Sequence, residues 1–382
     1  MFEEFLQPAP ADLFAEDNFT AQQLGMFVVS SPNPEGMDIA LIGVKEDRGS
    51  VRNNGCALAP DLIRQQLFSR AKFNDDIKIV DLGNIEMGAA ISDTYVALSK
   101  VVNELIRLKI VPVIIGGSHD LTFGQFGAYQ DLNRNINIAV ADQCIDLKEE
   151  QPEIDDEGFL LNLFQYEPSC IFDFAHIGYQ THLTSQYAIE LLDKLHFDSY
   201  RLGKVKSSIE EVEPVLRGTN LFSFDMSVIR LSDSPGNRSA GPNGLFAEEA
   251  CQLASYAGQS DKLDSFGLYG CNPSVDAGRQ SVQLAADIIW YFINGYGNRK
   301  NEYPKDDDVD YVKYTIHLKE NKYDLNFWKS KKSDRWWMEV PAGNKPRNQK
   351  KSHLLPCSYN DYQMACKEEL PERWIKAFQK LA

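Results

Sequence analysis

The sequence predicts an α/β protein: a three-layer αβα arrangement with a mostly parallel sheet, extended at its C-terminus by a small antiparallel β-meander and two helices. Three observations lead there. Between residues 38 and 297, short β-branched runs alternate with helical patterns, as parallel strands joined by crossover helices require. Three of those runs end in His or Asp, at the strand C-termini where open parallel sheets build their sites. Beyond a charged stretch at 298–310, the pattern changes to alternation of apolar and polar residues.

Residues 1–37 form an N-terminal extension to the α/β unit of 38–297. Its first expected strand is 38–44. Ala59-Pro60-Asp61 opens a helix through Phe68, with Pro where its missing N–H is harmless. A second strand is expected at 77–82, an amphipathic helix at 93–108 and a third strand at 110–115 before a Gly-Gly turn. Strand 136–140 precedes an acidic, glycine-containing surface loop at 149–158. Strand 169–174, helix 185–195, strands 221–225 and 265–270 and the apolar helix 280–292 complete this unit. After the 298–310 linker, residues 311–318, 323–328 and 335–340 alternate as a three-stranded meander within a C-terminal addition of 311–382. A Pro/Asn/Lys stretch at 341–352 separates them from two helices, one capped at Ser358 and one started by Pro371.

Composition narrows the function. In 382 residues, 43% are apolar and 11% aromatic, which is ample for a large core. A net charge of −16 argues against nucleic-acid binding and against docking to an anionic membrane. The N-terminus, Met1-Phe2-Glu3-Glu4-Phe5, is acidic and no apolar run is long enough to span a membrane, so no membrane insertion is expected and the compartment is read as cytoplasmic. Seven cysteines lack C-x-x-C spacing and read as core residues, Cys144 excepted. The basic run Lys345, Arg347, Lys350, Lys351 reads as a solvated loop. Arg335-Trp336-Trp337-Met338 is either an interface patch or a strand packed on the core.

The chemistry is concentrated at three strand ends. Gly116-Gly117-Ser118-His119-Asp120 follows one apolar run, Asp142-Gln143-Cys144-Ile145-Asp146 a second, and Asp225-Met226-Ser227 a third. One imidazole with several carboxylates is the mixed N/O set that suits Mn²⁺. An extended chain would direct Asp142, Cys144 and Asp146 to one side.

In their order and spacing these motifs resemble the arginase–agmatinase–formimidoylglutamase superfamily, the ureohydrolases, whose pattern is Gly-Gly-x-His, then Asp-Ala-His-x-Asp, then Ser-Phe-Asp-x-Asp. Gly55 to Arg64, Gly244 to Glu249, and Asn272-Pro273 with Asp276 resemble further family segments. The resemblance implies an arginase-like fold, a homo-oligomer, and two Mn²⁺ ions sharing a bridging hydroxide that attacks a guanidinium or amidine carbon. It places one metal on His119, Asp142, Asp146 and Asp225, and the family's substrate-site glutamate on Glu249. The second metal shares Asp142 and Asp225 but takes its exclusive ligands from the positions of Cys144 and Ser227, where His and Asp are expected. Residues 147–175 contain no histidine to act as the family's acid/base, and the role is not transferred to His176.

At most one divalent metal is therefore expected, Mn²⁺ or Zn²⁺, or none. Three readings follow. The first is a formimidoylglutamase-like protein with a degenerate site, weak or absent hydrolysis, and a role in binding a protein partner or small amidine ligand. The second is an active hydrolase of formimidoylglutamate or a related amidine. The third is a single-Zn²⁺ hydrolase using Asp142, Cys144 and Asp225.

Overall fold

The computed structural model describes residues 2–73, 77–132, 134–150, 153–304, 309–318, 324–341 and 352–381. Ten strands form the main sheet: β1 (Leu6–Gln7), β2 (Val28–Ser30), β3 (Ile39–Val44), β4 (Ile79–Ile85), β5 (Val111–Ile115), β6 (Ile136–Ala141), β7 (Ile171–Tyr179), β8 (Asp198–Arg201), β9 (Leu221–Asp225) and β10 (Ser265–Tyr269). The order β4-β3-β5-β10-β9-β6-β7-β8 is parallel throughout. β2 adds parallel to the outer side of β4, and β1 pairs with another part of it antiparallel.

Both faces of the sheet are covered, which is why its central strands read as unbroken apolar runs. One face, with Leu41, Val113, Phe222 and Phe266, packs against helices Ala59–Phe68, Ala247–Gly258 and Gln280–Gly297. The other, with Ile42, Ile114, Ile138 and Val140, packs against Ile91–Arg107 and Phe159–Phe164. The expected three-layer αβα arrangement is present. Fully buried Arg64 ties the first helix to β4 through Asp81 (Nε–Oδ2 2.6 Å), Asn84 and the carbonyl of Gly83.

Some elements exceed the expectation. β7 continues five residues past 174 through the polar His176. β8, Asp-Ser-Tyr-Arg, is an edge strand without an apolar alternation. Helix Ala247–Gly258 begins with two glutamates and was not anticipated. The second sheet has four antiparallel strands instead of three: β11 (Tyr311–His317), β12 (Asp324–Ser330), β13 (Trp336–Pro341) and β14 (Ser352–Cys357). β14 starts where the separating stretch was expected to end. The basic run Lys345, Arg347, Lys350, Lys351 lies outside the described residues, as do 305–308 of the linker. The two C-terminal helices are Tyr359–Cys366, with Ser358 and Asp361 forming a reciprocal capping box, and Glu372–Leu381.

The C-terminal addition docks at the end of the sheet remote from the strand C-termini. Lys376 pairs with Asp198 at the start of β8 (2.7 Å), and Lys380 with Asp173 near the start of β7. Arg217, just before β9, stacks its guanidinium 4.4 Å from the Trp337 ring and donates to the Cys357 carbonyl at 3.1 Å. Trp337 is buried against Arg217 and Tyr311, and Trp336 against Tyr314 and Tyr362. The tryptophan pair is a packed strand.

Arg64→Met should lower unfolding free energy by about 3–5 kcal/mol in guanidinium titrations, because Asp81 is left buried and unpaired. Adding Asp81→Asn should restore part of that loss.

Candidate metal centre

The strand order reverses direction between β5 and β6, and a crevice opens above the carboxyl ends of β5, β10, β9 and β6. Its floor depends on close backbone approach. A side chain at Gly117 would put a Cβ 1.7 Å from the Glu46 carbonyl oxygen, so only glycine lets the chain leaving β5 lie under that loop. Ser118 N–H donates to the same carbonyl at 3.1 Å and turns the next residue, His119, over the sheet. At Gly270 (φ +75°), after β10, a Cβ would fall 2.5 Å from Asp225 Oδ2.

His119 Nδ1 faces three carboxylates: Asp142 Oδ2 at 3.1 Å, Asp146 Oδ2 at 3.1 Å and Asp225 Oδ2 at 3.8 Å. All four side chains are buried. On the other side of the ring, Nε2 lies 3.0 Å from Ser223 Oγ, itself 2.6 Å from Thr122 Oγ1. With Ser223 accepting from Nε2–H and donating to Thr122, the Nδ1 edge of the ring is aimed into the cluster. Outer hydrogen bonds orient metal-binding imidazoles in this way. Ligand atoms of His119, Asp142 and Asp146 all lie within 4.8 Å of one another, and Asp225 stands beside them.

The electrostatics describe a site that lacks positive charge. Burial and the charge of Asp142 push Asp225 up to about 7 and raise Asp146 well above the carboxylate range. Burial also opposes ionisation of Asp142, but hydrogen bonding and attraction to His119 hold it below that range. His119 is raised: burial opposes its charge, while Asp142 and Asp225 outweigh the burial. A buried acid cluster of this kind fits a divalent cation, with donors that are hard oxygens plus one imidazole.

Cys144 and Ser227 behave differently. The segment after Asp142 is not extended, so Cys144 does not join Asp142 and Asp146 on one face as expected. Its N–H turns back toward Asp142 Oδ1 (3.4 Å), a local side-chain-to-backbone closure that bends the chain. Cys144 lines the pocket wall, and burial together with Asp142, Asp146 and Asp225 pushes its thiol up, keeping it protonated. Ser227 donates its hydroxyl to Asp142 Oδ1, the oxygen not facing His119, while its N–H binds Asp225 Oδ1 at 2.6 Å.

Around the cluster lies a cavity of about 420 Å³. Arg52, Lys148 and Arg238 stand among its lining residues, with Asp156 and Glu157. Asp156 accepts from Ser50 Oγ (2.7 Å) and Val51 N–H (2.9 Å), which latches the loop after β6 to the loop after β3, and Arg52 pairs with Glu157 at 2.8 Å. Asn53 and Asn237 both donate to the Gly270 carbonyl, at 2.9 and 3.0 Å. None of Arg52, Asn53, Asp156, Asn237 or Arg238 had been singled out from sequence. They sit in loops without a motif and gain meaning from contacts between separate parts of the chain, such as Ser50 with Asp156 and Asn53 with Gly270 and Arg238.

Glu249 is not among the residues lining this cavity. It accepts from Phe246 N–H (2.7 Å), capping its own helix, and pairs with Lys206 at 2.9 Å. His176 lies inside β7, and neither ring nitrogen makes a hydrogen bond among the described residues, although the Cys144 backbone slightly favours its charged form. Burial pushes His176 down to about 4.

Comparisons with known proteins agree with this fold. A family model described as the arginase family matches residues 37–294. Formimidoylglutamase of Streptococcus pyogenes serotype M3 is 26% identical over 282 residues, covering 68% of this chain and 85% of that protein. A crystal structure of Trypanosoma cruzi formiminoglutamase with Mn²⁺ superposes with TM-score 0.67 at 20% identity, over 74% of this chain and all of that one. Formimidoylglutamase from Bacillus subtilis superposes with TM-score 0.69 at 19% identity, over 75% of this chain and 96% of that one.

Two measurements test the site. Ser223→Ala removes the group that orients His119, and Mn²⁺ affinity by calorimetry should fall about 10–100-fold with the fold intact. The second concerns pH. His176 is neutral when folded and protonates at its ordinary pKa when unfolded, so its contribution is full above about 6.5 and is lost as pH falls toward about 4. Unfolding titrations of His176→Phe should lack a loss of up to about 3 kcal/mol across that window.

Proposed function

Because the chain belongs to the arginase family, we propose that it is a formimidoylglutamase-like protein whose binuclear centre is reduced to a half-site for one divalent ion. On this reading it binds a small amidine ligand and hydrolyses C–N bonds weakly or not at all. The observation that carries the proposal is the hydrogen bond from Ser227 to Asp142. That bond occupies the carboxylate oxygen that a bridging aspartate would offer to a second ion. Ser227 brings no negative charge to balance one, and Cys144 offers a protonated thiol where an imidazole would be expected.

His119, Asp142, Asp146 and Asp225 would hold the ion, with Mn²⁺ preferred by their donor atoms. When bound, it would supply Lewis acidity. The chain's own residues divide the cavity into two zones. The carboxylate floor attracts a cationic amidinium. Arg52, Lys148 and Arg238 on the walls attract an anionic tail. Arg52 is already paired with Glu157, so a ligand carboxylate would exchange with Glu157 for it. His119 is the single histidine among the lining residues, and it is turned toward the carboxylates. Asp156, the acid facing the cavity from the loop after β6, spends both oxygens on Ser50 and Val51. The lining residues thus include no second histidine to serve as a positioned acid/base, a deficit typically about 10²–10⁴-fold in rate.

Metal analysis of dialysed protein should return no more than a single Mn²⁺ per chain, and formamide release from formimidoylglutamate should be barely above background. The double variant Cys144→His/Ser227→Asp should take up a second ion and raise that release by about 10²-fold or more. Two ions in the unaltered protein would overturn the proposal.

A further inference from the structure

A second cleft of about 650 Å³ lies beside the metal pocket, at the carboxyl ends of β7 and β8. Its charge is opposite to that of the molecule. Arg201, Lys204, Lys206 and Arg230 line it, and no lining residue is acidic, in a chain of net charge −16. Lysine and arginine are ordinarily scattered on such a surface and balanced by nearby carboxylates. Here they converge, and aromatic groups hold them in place. The Phe246 ring is clamped between Lys206 Nζ, 3.2 Å from its centroid, and the Arg230 guanidinium, 4.1 Å from it. Arg201 Nε donates to Tyr179 Oη at 3.1 Å, and Lys204 Nζ lies 5.4 Å over the Tyr200 ring.

Two of the four have carboxylate partners just outside the lining: Glu249 for Lys206 at 2.9 Å and Asp233 for Arg230 at 2.8 Å. Arg201 and Lys204 have none among the described residues. The cleft therefore retains about two uncompensated positive charges, enough to attract a small dianion. Its residues come from well-separated parts of the chain, β7, β8 with the helix that follows, and the loop after β9, so the convergence is a product of the fold.

We propose that this cleft binds a small molecule through a phosphate group. Two guanidinium forks and two ammonium groups match the oxygens of a phosphoryl dianion, and they exceed what a single carboxylate can use. An extended polyanion is disfavoured because the rest of the surface is acidic, and attraction from the cleft fades within a Debye length of about 8 Å at physiological salt. The site also shares a wall with the metal pocket. In the loop after β9, the Asn243 carbonyl accepts from Gln180 of the cleft (3.1 Å), and the Ser239 carbonyl accepts from Gln143 of the metal pocket (2.6 Å). An anion held by Arg230 would thereby bear on the loop that closes both.

Calorimetry on the full chain, dialysed free of metal, provides the test with pyrophosphate as probe and citrate at equal ionic strength as comparison. Pyrophosphate should bind saturably and more tightly than citrate. Arg201→Gln/Lys204→Gln, both exposed and with melting temperature unchanged, should weaken it about 10–100-fold, while Lys367→Gln on the C-terminal addition should not. Absence of saturable binding, equal or tighter binding of citrate, or undiminished binding by the double variant would each overturn the proposal. The titration contains no metal ion, so its failure and failure of the half-site reading are separate results.

Discussion

Three buried aspartates around one imidazole are the constraint on which this structure turns. Like charges in a desolvated crevice repel, which raises the pKa of Asp146 and Asp225, and the protein offsets the repulsion with His119 and with hydrogen bonds from Ser227 and Asn237. Everything near the site supports that arrangement. Gly117 and Gly270 allow the backbone to pass close enough, Ser223 and Thr122 fix the ring, and the latch between Asp156 and residues 50–51 closes the side. An acid cluster costs folding energy that an apolar core would not, and a bound cation would offset that cost.

On the proposed half-site reading, the departure from a two-ion centre is equally physical. A carboxylate that bridges through both oxygens must present each of them to a metal. In this chain one oxygen of Asp142 faces His119 and the other accepts from Ser227. The serine satisfies locally what a second cation would otherwise satisfy, and Cys144 remains a thiol because three acids surround it. On that reading, the two residues that would replace metal ligands also hydrogen-bond Asp142 without them.

The C-terminal addition stands apart from this chemistry. Its contacts, Lys376 to Asp198, Lys380 to Asp173 and Arg217 on Trp337, gather near strand N-termini, so its described residues neither cover the crevice nor contribute to it. It buries its aromatic run against the α/β unit and against its own helices. The anion cleft lies at the opposite end, with the metal pocket, and the loop after β9 joins the two.

By itself the sequence determined what depends on local pattern. Apolar runs of five or six residues located the central strands, period-two alternation located the meander, and Ser358 with Asp361 announced a helix start that the capping box confirms. The segments 116–120, 142–146 and 225–227 placed His119, Asp142, Asp146 and Asp225 after strands whose ends must lie at the crevice, where the fold brings them together. Tertiary structure alone decided the rest. It bent the chain after Asp142, so that Asp146 reached His119 while Cys144 stayed in the wall. It added β8, whose polar residues carry no strand signal, and drew Glu249 to Lys206 and away from the cavity lining. It also gathered Asn53, Asp156 and Asn237 from loops that have no periodicity. The physical reason is the range of the interactions. Periodicity and caps act within a few residues and are written in the chain, whereas the charge balance of a buried site is set by groups that folding brings together from far apart.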